Sequence, residues 1–107
     1  MSGLGDMGNL LKQAQEMQRQ VDKVRAELRA RVVTGSSSAG DVRVDMSADR
    51  HEVKSVHVSP EFLGSASADE LAERIRTAVA DALRRAEDVE REEVGRVTGG
   101  MQLPGLF

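Results

Sequence analysis

The chain has 107 residues, enough for one domain with a modest core, and its formal net charge of −3 gives it no overall attraction for nucleic acid. It has no cysteine, which excludes disulfides, thiolate catalysis and Cys-ligated metals, and its only aromatic residues are two Phe. No apolar run approaches the roughly 18 residues of a membrane span, and the N-terminus lacks the cationic and apolar segments of a signal peptide.

A long amphipathic helix is predicted over about residues 7–30. Its apolar residues recur at alternating steps of three and four: Met7, Leu10, Ala14, Met17, Val21, Val24 and Leu28. This a/d spacing places them in one narrow seam, which we call the apolar seam. A narrow seam favours a second helix as partner over a sheet. That partner is either the later helix of the same chain or a helix of a second copy.

Three strands are predicted next, at about residues 31–34, 41–47 and 52–58, and their short links favour an antiparallel meander. Val42, Val44 and Met46 alternate with charged residues, which is typical of a half-buried strand. The facing of Val53 stays open. The Gly/Ser-rich stretch 35–40 is interpreted as a hairpin loop, because the Lys-Ser or Lys-Thr of a phosphate-binding P-loop is absent.

A second long helix is predicted over about residues 68–94. Ser67 and Glu70 have the spacing of a capping box at its start. Its apolar face is broad and rich in alanine, which lets another element pack closely. The C-terminal tail, 98–107, is rich in glycine yet carries four large apolar residues, so it is either a docked arm or a mobile end.

The sequence shows no catalytic constellation. Acidic neighbours such as Asp69 and Glu70 point about 100° apart on a helix, so they do not converge on one substrate atom. Zinc-ligand spacing is absent, and His51 and His57 are interpreted as surface residues, with a metal pair as the alternative. We therefore expect no enzyme activity, no metal, no cofactor and no small-molecule substrate.

Basic residues align along both helices. On the first helix three cations lie within about 40° of one another, opposite the apolar seam, and on the second helix arginines recur every 11 residues. Such rows suit a duplex phosphate backbone, although each row is also explained as a solvated face neutralised by Glu and Asp. Aromatic residues for stacking on single-stranded bases are missing from both faces. The candidate DNA contacts are Lys12, Arg19, Lys23, Arg84, Arg85 and Arg91.

Several stretches together resemble one family. They are residues 7–18 (MGNLLKQAQEMQ), 33–44, 56–60 (VHVSP), 81–87 (DALRRAE) and 99–105 (GGMQLPG). In this order, and over nearly the whole chain, they are similar to the YbaB/EbfC family of bacterial nucleoid-associated proteins. The resemblance supplies no short DNA-contact signature, so the six candidate residues rest on charge alignment alone.

The resemblance implies one α+β domain over residues 1–107, with a long N-terminal helix, a three-stranded antiparallel meander and a long C-terminal helix. It implies a tweezer-like homodimer whose long helices project from a sheet core. The implied activity is binding duplex DNA and altering its conformation, with roles in nucleoid organisation and gene regulation in the cytoplasm. No cofactor or catalysis is implied. A protein–protein adaptor that binds no nucleic acid is the alternative.

Overall fold

The structure is a computed structural model, and it describes the backbone of residues 2–98 and the side chains of residues 6–97. Its elements are α1 (Ser2–Ala30), β1 (Val32–Ser36), β2 (Val42–Ser47), β3 (Val53–Val58), α2 (Pro60–Ser65) and α3 (Ala68–Thr98). The predicted fold class is confirmed: a long helix, a three-stranded antiparallel sheet and a second long helix. The predicted tail beyond α3, residues 99–107, lies outside the described residues.

Both long helices extend further than predicted. Helix α1 begins at Ser2 rather than near residue 7, so Gly3 and Gly5 lie inside it, and α3 continues to Thr98. A glycine lowers helix stability by about 1 kcal/mol relative to alanine, but it does not block a helix. The predicted capping box is confirmed: the Glu70 N–H donates to Ser67 Oγ at 3.1 Å, and the Ser67 N–H donates to Glu70 Oε1 at 3.1 Å.

The sheet has the order β1-β2-β3, with a register irregularity in β2 between Asp45 and Met46. Strand β1 includes Gly35 and Ser36, which the sequence had assigned to the loop. A Cβ built on Gly35 would lie 2.5 Å from Ala78 O and 2.6 Å from Ala82 Cα. Gly35 is therefore a strand residue that lets the backbone of α3 approach closely.

The core lies between α3 and strands β1 and β2. Ala78, Ala82 and Ala86 of α3 are fully buried, as are Val42 and Val44 of β2. Small side chains on the helix allow the close packing that Gly35 permits from the strand side. The alanine-rich face seen in the sequence is therefore the sheet-packing face.

The apolar seam of α1 divides into two halves. Val24 and Leu28 join the core cluster that also contains Val94 of α3. In contrast, Met7 is 66% exposed and Leu10 is 64% exposed. The intrachain partner expected for the seam is therefore present for its C-terminal half. In the part of the chain that the structure describes, no helix combines the length and hydropathy needed to cross a membrane.

Candidate functional site

The N-terminal half of α1 projects away from the core. Every side chain of residues 6–20 is exposed, except that of Met17, which is half-buried. We call this segment, together with the polar side of the helix as far as Lys23, the exposed arm. At about 1.5 Å per residue it is roughly 27 Å long. Its polar side is a continuous helical surface that a large ligand can reach without rearrangement of the core.

Three of the six candidate DNA contacts lie on α1. Lys12, Arg19 and Lys23 are all exposed, on the side opposite the apolar seam. Among the described residues, neither Lys12 nor Lys23 has an acidic partner. Arg19 forms an exposed ion pair with Glu16 at 2.9 Å. Such a surface pair contributes less than about 1 kcal/mol, so a phosphate can replace the glutamate as partner.

Two candidates on α3 are held by one carboxylate. Arg84 Nη2 lies 2.5 Å from Asp81 Oδ1, and Arg85 Nε lies 3.0 Å from Asp81 Oδ2. The same carboxylate accepts a hydrogen bond of 2.9 Å from the backbone N–H of Ser36 in β1. That N–H, and then Arg85, lower the pKa of Asp81 below its ordinary value. The carboxylate thus joins α3 to β1 and pairs with both arginines, whose combined charge its single negative charge halves.

The other arginines of α3 are also paired. The sixth candidate, Arg91, lies 3.5 Å from Asp88, and Arg96 lies 3.4 Å from Glu93. Arg74 lies 3.4 Å from Asp41. Each member of the row that recurs every 11 residues on α3 therefore has an acidic partner. The solvated-face alternative describes α3 well, whereas the two lysines of α1 depart from it.

Sequence reasoning did not single out Arg43. It lies in β2 between buried Val42 and Val44, so it projects from the sheet face opposite α3, where it is exposed. Like the two lysines, it has no acidic partner among the described residues. The strand alternation already indicated its outward direction, but only the structure shows that its acidic neighbours along the strand leave it unpaired.

A polar cluster occupies that same sheet face. Asp45 accepts hydrogen bonds from Ser55 Oγ at 2.6 Å and from Thr34 Oγ1 at 2.7 Å, and His57 Nε2 lies 3.3 Å from its carboxylate. The bonds from Ser55 and Thr34 lower the pKa of Asp45. Ser55 donates its proton to the carboxylate, so His57 does not act on it as the base of a Ser-His-Asp triad does. This cluster fastens neighbouring strands.

Comparison with known proteins places the chain in a family. The profile of the YbaB/EbfC DNA-binding family matches residues 3–101. A protein of Alkaliphilus metalliredigens (strain QYMF) named "Nucleoid-associated protein" is 38% identical over 107 residues, which are 100% of this chain and 93% of that protein. The crystal structure of an uncharacterized protein from Helicobacter pylori is 16% identical, with a TM-score of 0.67 over 87% of this chain and 94% of that chain, which shows the same fold. The chain therefore belongs to the YbaB/EbfC DNA-binding family.

Proposed function

We propose that this protein is a nucleoid-associated protein that binds duplex DNA through the exposed arm of α1. The observation that carries the proposal is the pair of lysines without acidic partners, Lys12 and Lys23, aligned on a projecting helix. The DNA-binding family to which the chain belongs, and the name of its relative from Alkaliphilus, support the same partner.

The arm has dimensions that suit a duplex. Lys12 and Lys23 are 11 residues apart, so they lie about 16 Å apart along the helix and within about 20° of the same direction. The major groove of B-DNA is about 12 Å wide and admits an α-helix. Lysine contacts to phosphates position a protein without reading bases. The binding is therefore expected to depend weakly on sequence and strongly on salt.

A homodimer is the second part of the proposal. Val53 and Val56 of β3 pair with Met46 and Val44, so they lie on the core side of the sheet. Helix α3 covers β1 and β2, and it leaves Val53 52% exposed and Val56 49% exposed. In the described chain β3 also has no neighbour on its outer edge. An open edge beside exposed valines favours pairing with another strand.

Helix α3 contributes to the same surface. Arg50, in the turn between β2 and β3, reaches Glu90 at 3.1 Å and Glu87 at 4.0 Å. Leu83 is one turn before Glu87 on this side of the helix, and it is also exposed. Leu83 lies on the side of α3 that faces the β2–β3 turn, so we propose that it forms one apolar surface with the β3 valines and that a second copy of this chain covers it. The dimer then presents two arms to one duplex and alters its conformation in the nucleoid.

The homodimer is tested by comparing a substitution at Val56 with the same substitution at the neighbouring His57. Val56→Lys places a charge in the proposed interface, whereas His57→Lys places the same charge on the opposite face of the same strand. Light scattering on the unaltered chain and on His57→Lys should give about twice the 11.6 kDa chain mass. Val56→Lys should give one chain mass. A monomer in all three samples would contradict the homodimer.

The DNA contacts are tested by two double variants of equal net charge. Lys12→Gln/Lys23→Gln removes the unpaired lysines, and Arg84→Gln/Arg91→Gln removes arginines that have acidic partners. Fluorescence anisotropy with a duplex at low salt should show at least about a tenfold loss for the lysine variant and a smaller loss for the arginine variant. Equal losses would remove the exposed arm as the contact surface. Failure of the unaltered protein to bind at about 50 mM salt, where phosphate contacts are strong, would favour a protein–protein adaptor.

A further inference from the structure

The N-terminal half of the apolar seam faces solvent. Its residues, Met7, Leu10, Ala14 and Met17, keep the a/d spacing that Val24 and Leu28 use to pack against the core. Leu11, beside this half, is 61% exposed. A row of apolar side chains on a polar helix marks a surface to which another segment binds. We call these four residues the open seam.

Helix α3 runs antiparallel to α1 and ends beside the open seam. Arg31 Nη1, just after α1, lies 3.6 Å from Glu93, and Leu28 lines the same cavity as Val94. From Val94 to Thr98, α3 advances about 6 Å, the same distance that α1 covers in going back from Leu28 to Val24. Residue 98 therefore lies level with Val24, about 10 Å along α1 from Met17, where the open seam begins.

The nine residues that follow, 99–107, have the composition of an apolar ligand for this seam. They begin with two glycines, contain no charged residue, and include Met101, Leu103, Leu106 and Phe107. Extended at about 3.3 Å per residue they span roughly 30 Å. The seam from Val24 back to Met7 is about 26 Å long. The segment can therefore follow the open seam to its end.

Val21 supplies an independent observation. It lies on the seam between the buried half and the open seam, and it is fully buried. It is nevertheless not a member of the core cluster that Val24 and Leu28 join. The covered part of the seam therefore reaches one helical turn beyond Val24, toward the open seam.

From these observations we propose that residues 99–107 pack along the open seam of α1 in the same chain. The docked segment stiffens the exposed arm and covers its apolar side. Because Lys12 and Lys23 lie on the opposite side of α1, the basic surface stays accessible. The tail is thus a docked arm, and it competes with any second copy for the open seam.

Cross-linking tests the docking in the full chain. The natural sequence has no cysteine, so engineered cysteines react without background. We compare Ala14→Cys/Leu103→Cys with Gln15→Cys/Leu103→Cys, using a short bis-maleimide at micromolar protein concentration. Position 14 lies on the open seam, and position 15 points to the polar side. We expect the first pair to react within one chain at least about tenfold faster, because docking raises the local concentration of the two thiols.

Two results of this experiment would overturn the proposal. Equal rates for the two pairs would mean that the segment does not select the seam. A product of about twice the 11.6 kDa chain mass would mean that the segment binds a second copy.

Hydrogen exchange provides a second measurement that does not depend on the position of one thiol. In Leu103→Asp/Leu106→Asp the backbone amides of residues 6–17 should exchange at least about threefold faster, since the arm loses its cover. Gln102→Asp, which adds charge to the same segment without removing an apolar side chain, should leave these amides unchanged. Unaltered exchange in the double variant would contradict docking.

Discussion

Replacing Gly35 by alanine tests how closely α3 lies on the sheet. The added Cβ would meet the backbone of α3 at Ala78 O, 2.5 Å away, and at Ala82 Cα, 2.6 Å away, with Ala82 N nearer still. Ordinary contact between such atoms needs about 3.5 Å, so α3 has to move by roughly 1 Å. Backbone atoms cannot rotate away as the end of a side chain can, so the whole helix has to adjust.

The movement of α3 also affects the hydrogen bond that Ser36, the residue after Gly35, makes to Asp81. The Ser36 N–H donates to Asp81 at 2.9 Å, and a movement of α3 lengthens this bond. Overpacking a core costs about 1 to 3 kcal/mol, and weakening this partly buried hydrogen bond adds roughly 1 kcal/mol. We expect Gly35→Ala to lower the free energy of unfolding by about 3 kcal/mol, which for a chain of this length lowers the melting temperature by roughly 13 °C.

The assay is thermal unfolding followed by circular dichroism, with Gly95→Ala as the matched control. A Cβ added at Gly95 in α3 meets nothing within 4 Å, so this variant should gain up to about 1 kcal/mol of helix stability. If Gly35→Ala melts within about 2 °C of the unaltered protein, a shift worth under 1 kcal/mol, the close approach of α3 to β1 is refuted.

Three further predictions concern the seam, the carboxylate between α3 and β1, and acid stability. Val21→Asp should unfold or dissociate the protein, because an unpaired buried carboxylate costs several kcal/mol. Arg19→Asp, at an exposed position, should leave the melting temperature nearly unchanged. Equal shifts of the two variants in a thermal melt would mean that the apolar seam is misassigned. Asp81→Asn should lower the free energy of unfolding by about 1 to 2 kcal/mol. It should also tighten duplex binding in an anisotropy titration, because it releases Arg84 and Arg85 from their carboxylate. Unchanged affinity would show that neither arginine faces DNA. In the folded protein the pKa values of Asp81, Asp45 and Glu70 are lowered from 3.8, 3.8 and 4.5, so the stability that these carboxylates contribute is complete above those values and is lost as the pH falls through the lower folded values. The free energy of unfolding from denaturant melts should therefore be constant from about pH 7 to 5 and fall below about pH 4. A loss of stability that begins near neutral pH would contradict this cause.

Local patterns in the sequence predict most of the secondary structure. The a/d spacing predicts α1, the alternation from Val42 to Met46 predicts β2, and the Ser67–Glu70 spacing predicts where α3 begins. Each of these signals depends on residues within one element. The short helix α2 was not predicted, because its six residues are too few to show a helical period. In the structure, Pro60 is the first residue of that helix, and Ser59 caps it.

Features that depend on two distant elements were not predictable. Gly35 belongs to β1 because it pairs with Val44 of β2, and it has to be a glycine because α3, more than 40 residues later, lies against it. The pairing of Arg85 with Asp81 joins two residues four apart on one helix, but the hydrogen bond from Ser36 that fixes this carboxylate comes from β1. Likewise, the seam of α1 is a single pattern in the sequence, and only the packing of α3 divides it into a buried half and an open half.

The charge pattern predicted six DNA contacts, and their surroundings now distinguish them. Arg84, Arg85 and Arg91 have carboxylate partners that a phosphate would have to displace. Lys12 and Lys23 have none among the described residues. All six stay predictions, and the two lysines are expected to contribute most.

The salt dependence of duplex binding tests the central claim most directly. Each phosphate that a cation neutralises contributes about −0.9 to the slope of log K against log salt. With the proposed dimer, the unaltered protein should show a steep slope of about −4 to −7, nearly independent of DNA sequence, and Lys12→Gln/Lys23→Gln should flatten it by about 4, because two lysines are lost from each of two chains. A slope that is the same with and without these lysines would contradict DNA binding by the exposed arm.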